Sequence, residues 1–192
     1  MIPEIEKIKS YITNVIQMDD NTFNIAVDYF TIKHLKKGEY LLREGQVCDS
    51  ITYINTGLFR TFHIKNGNEI NTCFCMENSI TSSQESFVKQ IVSKEYIQAI
   101  EDATVVSLSY KDLMKLYQFS QKWESLSRLL TEKECARLSE RVDTLSFETA
   151  KEKYLYLLKN QPKIIQRVSI QHIASYIGVS RETLSRIRSK IT

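Results

Sequence analysis

The most specific chemistry in this sequence sits near its end, in Arg181, Glu182 and Arg186. An arginine guanidinium can take guanine O6 and N7 together, and a glutamate can accept from cytosine N4. The three lie in the segment IQHIASYIGVSRETLSRIR, Ile170–Arg188. At about 100° per residue they share one helical face with Ser185, opposite Leu184 and Ile187. The residues before them suit a helix, a tight turn and a second helix. Ser169 is placed to cap the first helix, and Ile173 and Ile177 to form its buried face. Ala174 is small where two helices must approach, and Gly178 permits a left-handed turn. Ser180 is placed to cap the second helix, with Leu184 and Ile187 as its anchors. A helical hairpin with a solvated charged face would share some of these signals. The ordered combination of Ala174, Gly178, a serine cap and two arginines on one face favours a helix that reads DNA bases.

No second constellation of this kind is present. Cys48, Cys73, Cys75 and Cys135 form no C-x-x-C pair, and the histidines are His34, His63 and His172. Cys73 and Cys75 on a strand would share a face at no recognised metal spacing, so the cysteines are expected as reduced thiols packed like small hydrophobes. No metal site and no cofactor is expected. No catalytic triad or phosphate-binding loop is visible, which argues against an enzyme.

The chain has 192 residues, 42% hydrophobic and 26% charged, enough for one generous domain or two small ones. Its formal net charge of +3 is unevenly spread: residues 147–192 hold nine of the 26 basic residues and only three of the 23 acidic ones. A basic end joined to a mildly acidic remainder fits a nucleic-acid-binding module attached to something else. No apolar run approaches the roughly 20 residues of a membrane span. The opening MIPEIEKIKSY is no secretory signal. A cytoplasmic protein with no membrane partner is expected.

The elements that would position the reading face follow from the glycines. Gly38, Gly45, Gly57 and Gly67 punctuate short runs rich in aromatic and branched residues: 39–43, 50–55, 58–64 and 69–75. Leu58, Arg60, Phe62 and Ile64 alternate with Phe59, Thr61 and His63, the period of a half-buried strand. Asn66-Gly67 between two runs predicts a hairpin turn. Further strands are expected at 96–100 and 104–109, giving a sandwich or small barrel. Residues 3–33 read as one or two helices, and 111–146 as a short helix followed by a long one. Cys135, Leu138, Val142 and Leu145 step by three, four and three, which a dimerisation seam or the core helix of a monomer would equally show.

IASYIGVSRETLSRIR closely resembles the helix-turn-helix of the Crp/Fnr family, the cyclic-AMP receptor protein and its relatives. GEYLLREGQVCDSITYINTGLFRTF resembles the opening strands of that family's jelly roll, and the long helix matches its dimerisation helix. The resemblance implies an α+β protein: an N-terminal helix, a cyclic-nucleotide-binding-type jelly roll, a long dimerisation helix and a C-terminal helix-turn-helix. It divides the chain into a sensor with dimerisation helix, 1–146 (the helix being 111–146), and a DNA-binding domain, 147–192. It implies a homodimer regulating transcription on double-stranded DNA, with Arg181, Glu182 and Arg186 on base-contacting positions. Ser180 and Thr183 fall where phosphates are approached, with Ser185, Arg188 and Lys190 as secondary contacts. RNA polymerase and an unidentified small-molecule effector are further candidate partners. The rival expectation is a ligand-sensing or protein-interaction module with a vestigial DNA-binding end.

Two departures from the family pattern bear on ligands. Nucleotide-binding members hold the ribose and cyclic phosphate with a Gly-Glu pair and an Arg-Ser or Arg-Thr pair. The corresponding stretch, NSITSSQESFVKQIVSKEYIQ, has neither Gly nor Arg. A buried cyclic phosphate needs a charge-assisted partner, so cyclic AMP is not expected as the effector. Lys89 or Lys94 could substitute or could be solvated. Ser82, Ser83, Ser93 and Lys94 are the candidate lining of an effector pocket, although so many hydroxyls also suit a loop. The N-terminal cysteine cluster of iron–sulfur members is not seen either. The second departure is that the chain stops six residues after Arg186, so a β-hairpin wing and its backbone contacts are not expected.

Overall fold

The computed structural model describes residues 2–191. Two compact units divide the chain: Met1–Arg60 with Cys75–Lys133, and Thr61–Phe74 with Glu134–Thr192.

The first unit begins with α1 (Pro3–Val15), whose Ile5, Ile8 and Ile12 recur at helical spacing and are buried. Proline at its first turn withholds an N–H that would have no helical partner there. In α2 (Asp20–Val27) the cap is Asp19, whose carboxylate accepts the Thr22 N–H at 2.9 Å. That bond, with the Lys122 ammonium and the Thr22 hydroxyl, holds Asp19 well below the usual carboxylate range.

The strands are β1 (Phe30–Leu35), β2 (Tyr40–Leu42), β3 (Ser50–Thr56), β4 (Leu58–Lys65), β5 (Asn68–Met76) and β6 (Ser79–Thr81). A short helix, α3 (Gln84–Lys89), precedes β7 (Tyr96–Ala99) and β8 (Ala103–Ser109). They form two four-stranded sheets, ordered β1-β8-β3-β6 and β2-β7-β4-β5. In the first sheet all pairings are antiparallel, with Phe30 opposite Leu108, Tyr53 opposite Val106 and Thr52 opposite Thr81. Alternation sorts β3: Tyr53 stacks against Tyr11 of α1, while Thr52 shares a 2.9 Å hydrogen bond with Ser107 of β8. The β4–β5 turn is the one expected, with Asn66 and Gly67 both at positive φ.

The strands at 40–42, 50–56, 58–65, 68–76, 96–99 and 103–109 fall where the sequence predicts them. The expected helical reading of 3–33 fails at its end, where Phe30–Leu35 is strand. The ladder to β8 decides that conformation, since every backbone partner of this segment lies about seventy residues away. The three-residue β6 and the short α3 are further additions.

α4 (Tyr110–Phe119) and α5 (Gln121–Phe147) are the expected short and long helices. Ser109 caps α4, and Leu113, Leu116, Trp123 and Leu126 are buried in the core of the first unit. No helix among the described residues is long and apolar enough to cross a membrane.

The second unit holds the tip of the β4–β5 hairpin, the last part of α5, and four further helices: α6 (Ala150–Asn160), α7 (Pro162–Arg167), α8 (Ile170–Ile177) and α9 (Arg181–Arg188). The boundary expected at 146/147 coincides with the end of α5, while the compact units part at 133/134 and the second takes a piece of the hairpin. A Thr149–Glu152 capping box starts α6, each side chain serving the other's backbone.

Candidate nucleic-acid interface

α8 and α9 build the site. Ser169 accepts the His172 N–H at 3.2 Å and so caps α8. Gly178 ends that helix at φ 79°, ψ 34°, a left-handed conformation costly for a residue with a Cβ, and the Val179 N–H returns to Ala174 O at 3.0 Å. Ser180 then accepts the Thr183 N–H at 3.2 Å and starts α9. Ile173, Ala174, Ile177 and Leu184 are buried where the two helices meet. Burial of Leu184 fixes the rotation of α9, and Arg181, Glu182, Ser185 and Arg186 emerge exposed.

The electrostatics of that face favour recognition. The backbone amide of Glu182 and the Ser180 hydroxyl lower the Glu182 pKa, and Arg181 and Arg186 add to the effect. Glu182 is thus an ionised acceptor between two cationic donors. Arg186 Nη2 lies 3.4 Å from the Thr183 hydroxyl, which orients its guanidinium along the helix. Thr183 is half-buried, whereas Ser180, Arg188 and Lys190 are exposed.

A support appears here that the sequence did not reveal. β5 is the end strand of its sheet, with a free backbone edge. Ser175 of α8 occupies that edge: its Oγ accepts the Asn71 N–H at 3.0 Å and donates to Glu69 O at 2.7 Å. Asn71 Nδ2 reaches His172 O at 3.5 Å, and the rings of Phe74 and Tyr176 are 5.2 Å apart. Arg141 of α5 covers the other side of this contact, 3.7 Å from the Tyr176 ring centroid and donating to Tyr176 O. Burial lowers the Arg141 pKa and raises that of Tyr176. One hydroxyl and one cation–π pair therefore seat the first helix of the helix-turn-helix on the hairpin tip and on α5.

On α5, Leu138, Val142 and Leu145 are 46%, 60% and 45% exposed, Phe147 is 82% exposed, and Cys135 is exposed. Together they make an apolar stripe about half open to solvent among the described residues.

The candidate effector residues separate. Ser83 and Ser93 are buried and bonded to each other at 3.1 Å, and Ser83 donates to Glu95 Oε2 at 2.7 Å. Their hydroxyls close the loop between β6 and β7. Ser82 instead lines a cavity of about 280 Å³ inside the roll, with Lys33, Asp49, Ser50, Thr52 and Thr81 among its walls. Lys94 does not line it. Cys48 on the same wall has its thiol pKa raised by burial. Arg60 is buried in β4, donating from Nε and Nη2 to Gln98 Oε1 at 2.9 and 2.7 Å. Among the described residues no cluster of His, Cys, Asp and Glu could hold a metal ion.

Roll, long helix and capped helix pair together define a chain in which a jelly roll is followed by a helix-turn-helix. Similarity to known proteins agrees. Residues 32–119 match the family described as cyclic nucleotide-binding domain. The transcriptional activator protein Anr of Pseudomonas protegens is 28% identical over 167 residues, 80% of this chain and 67% of Anr. The c-di-GMP-responsive global regulator CLP of Xanthomonas campestris shares the fold at a TM-score of 0.72 and 17% identity, over 90% of this chain and 91% of CLP. A protein assigned to the Crp/Fnr family from Eubacterium rectale does so at 0.73 and 15% identity, over 93% and 87%. The chain thus carries a cyclic nucleotide-binding domain over residues 32–119, and over most of its length it is similar to transcription regulators of the Crp/Fnr type.

Proposed function

We propose that this protein binds double-stranded DNA as a homodimer and regulates transcription at a two-fold symmetric site. One observation carries the reading. Leu184 is fully buried beneath α9, and Arg181, Glu182, Ser185 and Arg186 stand exposed on its other side. Arg181, Glu182 and Arg186 read bases; Ser180 and Thr183 approach phosphates, with Ser185, Arg188 and Lys190 in support. The exposed Leu138–Val142–Leu145 stripe supports dimerisation, since an isolated helix would not leave this row of apolar side chains in water. An effector that enters the roll is a small polar molecule, because the roll cavity is walled by hydroxyls, Lys33 and Asp49.

Selection of bound fragments from a random DNA pool tests this reading and delivers the operator. An inverted repeat is expected. On that operator, Arg181→Ala and Arg186→Ala are each expected to cost about 1–3 kcal/mol and to relax one base pair per half-site. Unchanged affinity in both variants would show that the wrong face of α9 has been assigned.

A further inference from the structure

A second cavity lies in the first unit, between the sheet β1-β8-β3-β6 and the helices that cover it. It measures about 40 Å³. Ile8 and Ile12 of α1, Ile51 and Val106 of the sheet, and Trp123 and Leu126 of α5 are among its walls. It is separate from the roll cavity, whose walls carry Lys33 and Asp49. No Asp, Glu, Lys, Arg or His lines it.

Three of its polar side chains are bonded elsewhere, while the Tyr11 hydroxyl and the Trp123 indole have no hydrogen-bond partner among the described residues. Thr52 is bonded to Ser107, the Tyr53 hydroxyl donates to Asn78 Oδ1 at 2.8 Å, and Ser127 is bonded to the Tyr117 hydroxyl. Trp123 is 2% exposed, and its Nε1–H has no acceptor among the described residues. A buried N–H without a partner is a standing cost that any well-placed acceptor removes. Water is a modest remedy, because a buried water needs two to four polar partners and the Tyr11 hydroxyl would be its only other unbonded one. A charged ligand is a worse one, because nothing on the wall compensates its desolvation.

We infer that this cavity is a binding site for a small uncharged molecule with one hydrogen-bond acceptor, held by the Trp123 indole N–H. A water-sized sphere fills about 10–15 Å³ of such space, so the ligand has roughly three to four non-hydrogen atoms. Small ketones and aldehydes are the matching class. The site abuts Trp123 and Leu126 of α5, the helix that carries the Cys135–Leu145 stripe, so occupancy bears directly on how that helix packs.

Trp123 is the only tryptophan of the chain, so the full-length protein gives a single indole ¹H–¹⁵N resonance to follow. Three probes of equal size separate the possibilities: acetone, 2-methylpropene, which replaces the carbonyl oxygen by CH₂, and acetate, which is charged. Acetone is expected to move the resonance downfield saturably and to bind about fivefold or more tightly than the alkene, the worth of one neutral hydrogen bond. Acetate is expected to leave it unmoved. Ile12→Phe, which puts a ring into the space, is expected to abolish both effects. In Trp123→Phe, followed by isoleucine methyl shifts, ketone and alkene should bind equally. The inference is overturned if acetone gives no saturable shift up to about 100 mM, the weak end for so small a ligand. It is equally overturned if ketone and alkene bind alike, or if acetate binds as well as the ketone. These comparisons are made on the unaltered chain, so they decide the matter even where a variant does not fold.

Discussion

Replacing Ser175 by alanine removes one oxygen and, with it, both hydrogen bonds on the edge of β5. The Asn71 N–H at 3.0 Å loses its acceptor, and Glu69 O at 2.7 Å loses its donor. Each neutral bond is worth about 0.5–1.5 kcal/mol net, and a buried donor left unmade costs about 1–3 kcal/mol. Asn71 is only 2% exposed, so water is poorly placed to take over its N–H. Glu69 is exposed, so its carbonyl can be hydrated and adds little. The loss should therefore be near 1.5–2 kcal/mol, dominated by the Asn71 amide. The Phe74–Tyr176 and Arg141–Tyr176 contacts survive the substitution and keep α8 near the hairpin. At about 1.4 kcal/mol per tenfold, exchange of the Asn71 amide with solvent should accelerate roughly ten- to thirtyfold. Native-state hydrogen exchange followed by NMR measures this amide directly. Ser175→Thr keeps the hydroxyl and should retain most of the protection. A folded Ser175→Ala protein with unchanged Asn71 exchange would refute the idea that this hydroxyl seats the helix-turn-helix on the strand edge.

Leu138→Asp or Val142→Asp should place a charge in the exposed α5 stripe and give monomers with weak operator affinity; sedimentation of the parent as a monomer at micromolar concentration would already contradict the dimer. Cyclic AMP and cyclic GMP should give no calorimetric signal at about millimolar ligand, where even −4 kcal/mol of binding would register. A saturable heat lost in a Lys89→Ala/Lys94→Ala variant would instead assign lysine the phosphate. Acid should weaken the fold in a defined window. The Thr22 backbone bond lowers the pKa of Asp19, and the Thr149 hydroxyl that of Glu152. A carboxylate depressed in the folded state stabilises fully above its unfolded pKa, about 3.9 for Asp and 4.3 for Glu, and loses that contribution as pH falls through the folded value. Thermal midpoints should therefore drop below about pH 4, and Asp19→Asn should flatten that drop.

The sequence by itself determined what is local. The helix-turn-helix is legible because its cap at Ser169, its turn at Gly178 and its cap at Ser180 act within four residues of themselves. The face of α9 follows from where Leu184 falls in a 3.6-residue period. The Asn66-Gly67 turn and the alternation of Leu58–Ile64 are legible for the same reason, and the Thr149-x-x-Glu152 box carried its own signal although only the structure drew attention to it. Tertiary structure decided everything whose partner is distant. Phe30–Leu35 becomes a strand because β8 lies beside it, and Ser83 and Ser93 serve a loop because Glu95 is within reach. The stripe Cys135, Leu138, Val142 and Leu145 reads the same in a seam and in a core, and only the surrounding packing leaves it exposed. Ser175 looks like any helix serine until a strand edge 104 residues earlier in the chain meets it. Spacing encodes contacts that a turn of helix or a pair of strands can close, whereas chain entropy separates the longer ones from any pattern readable along the sequence.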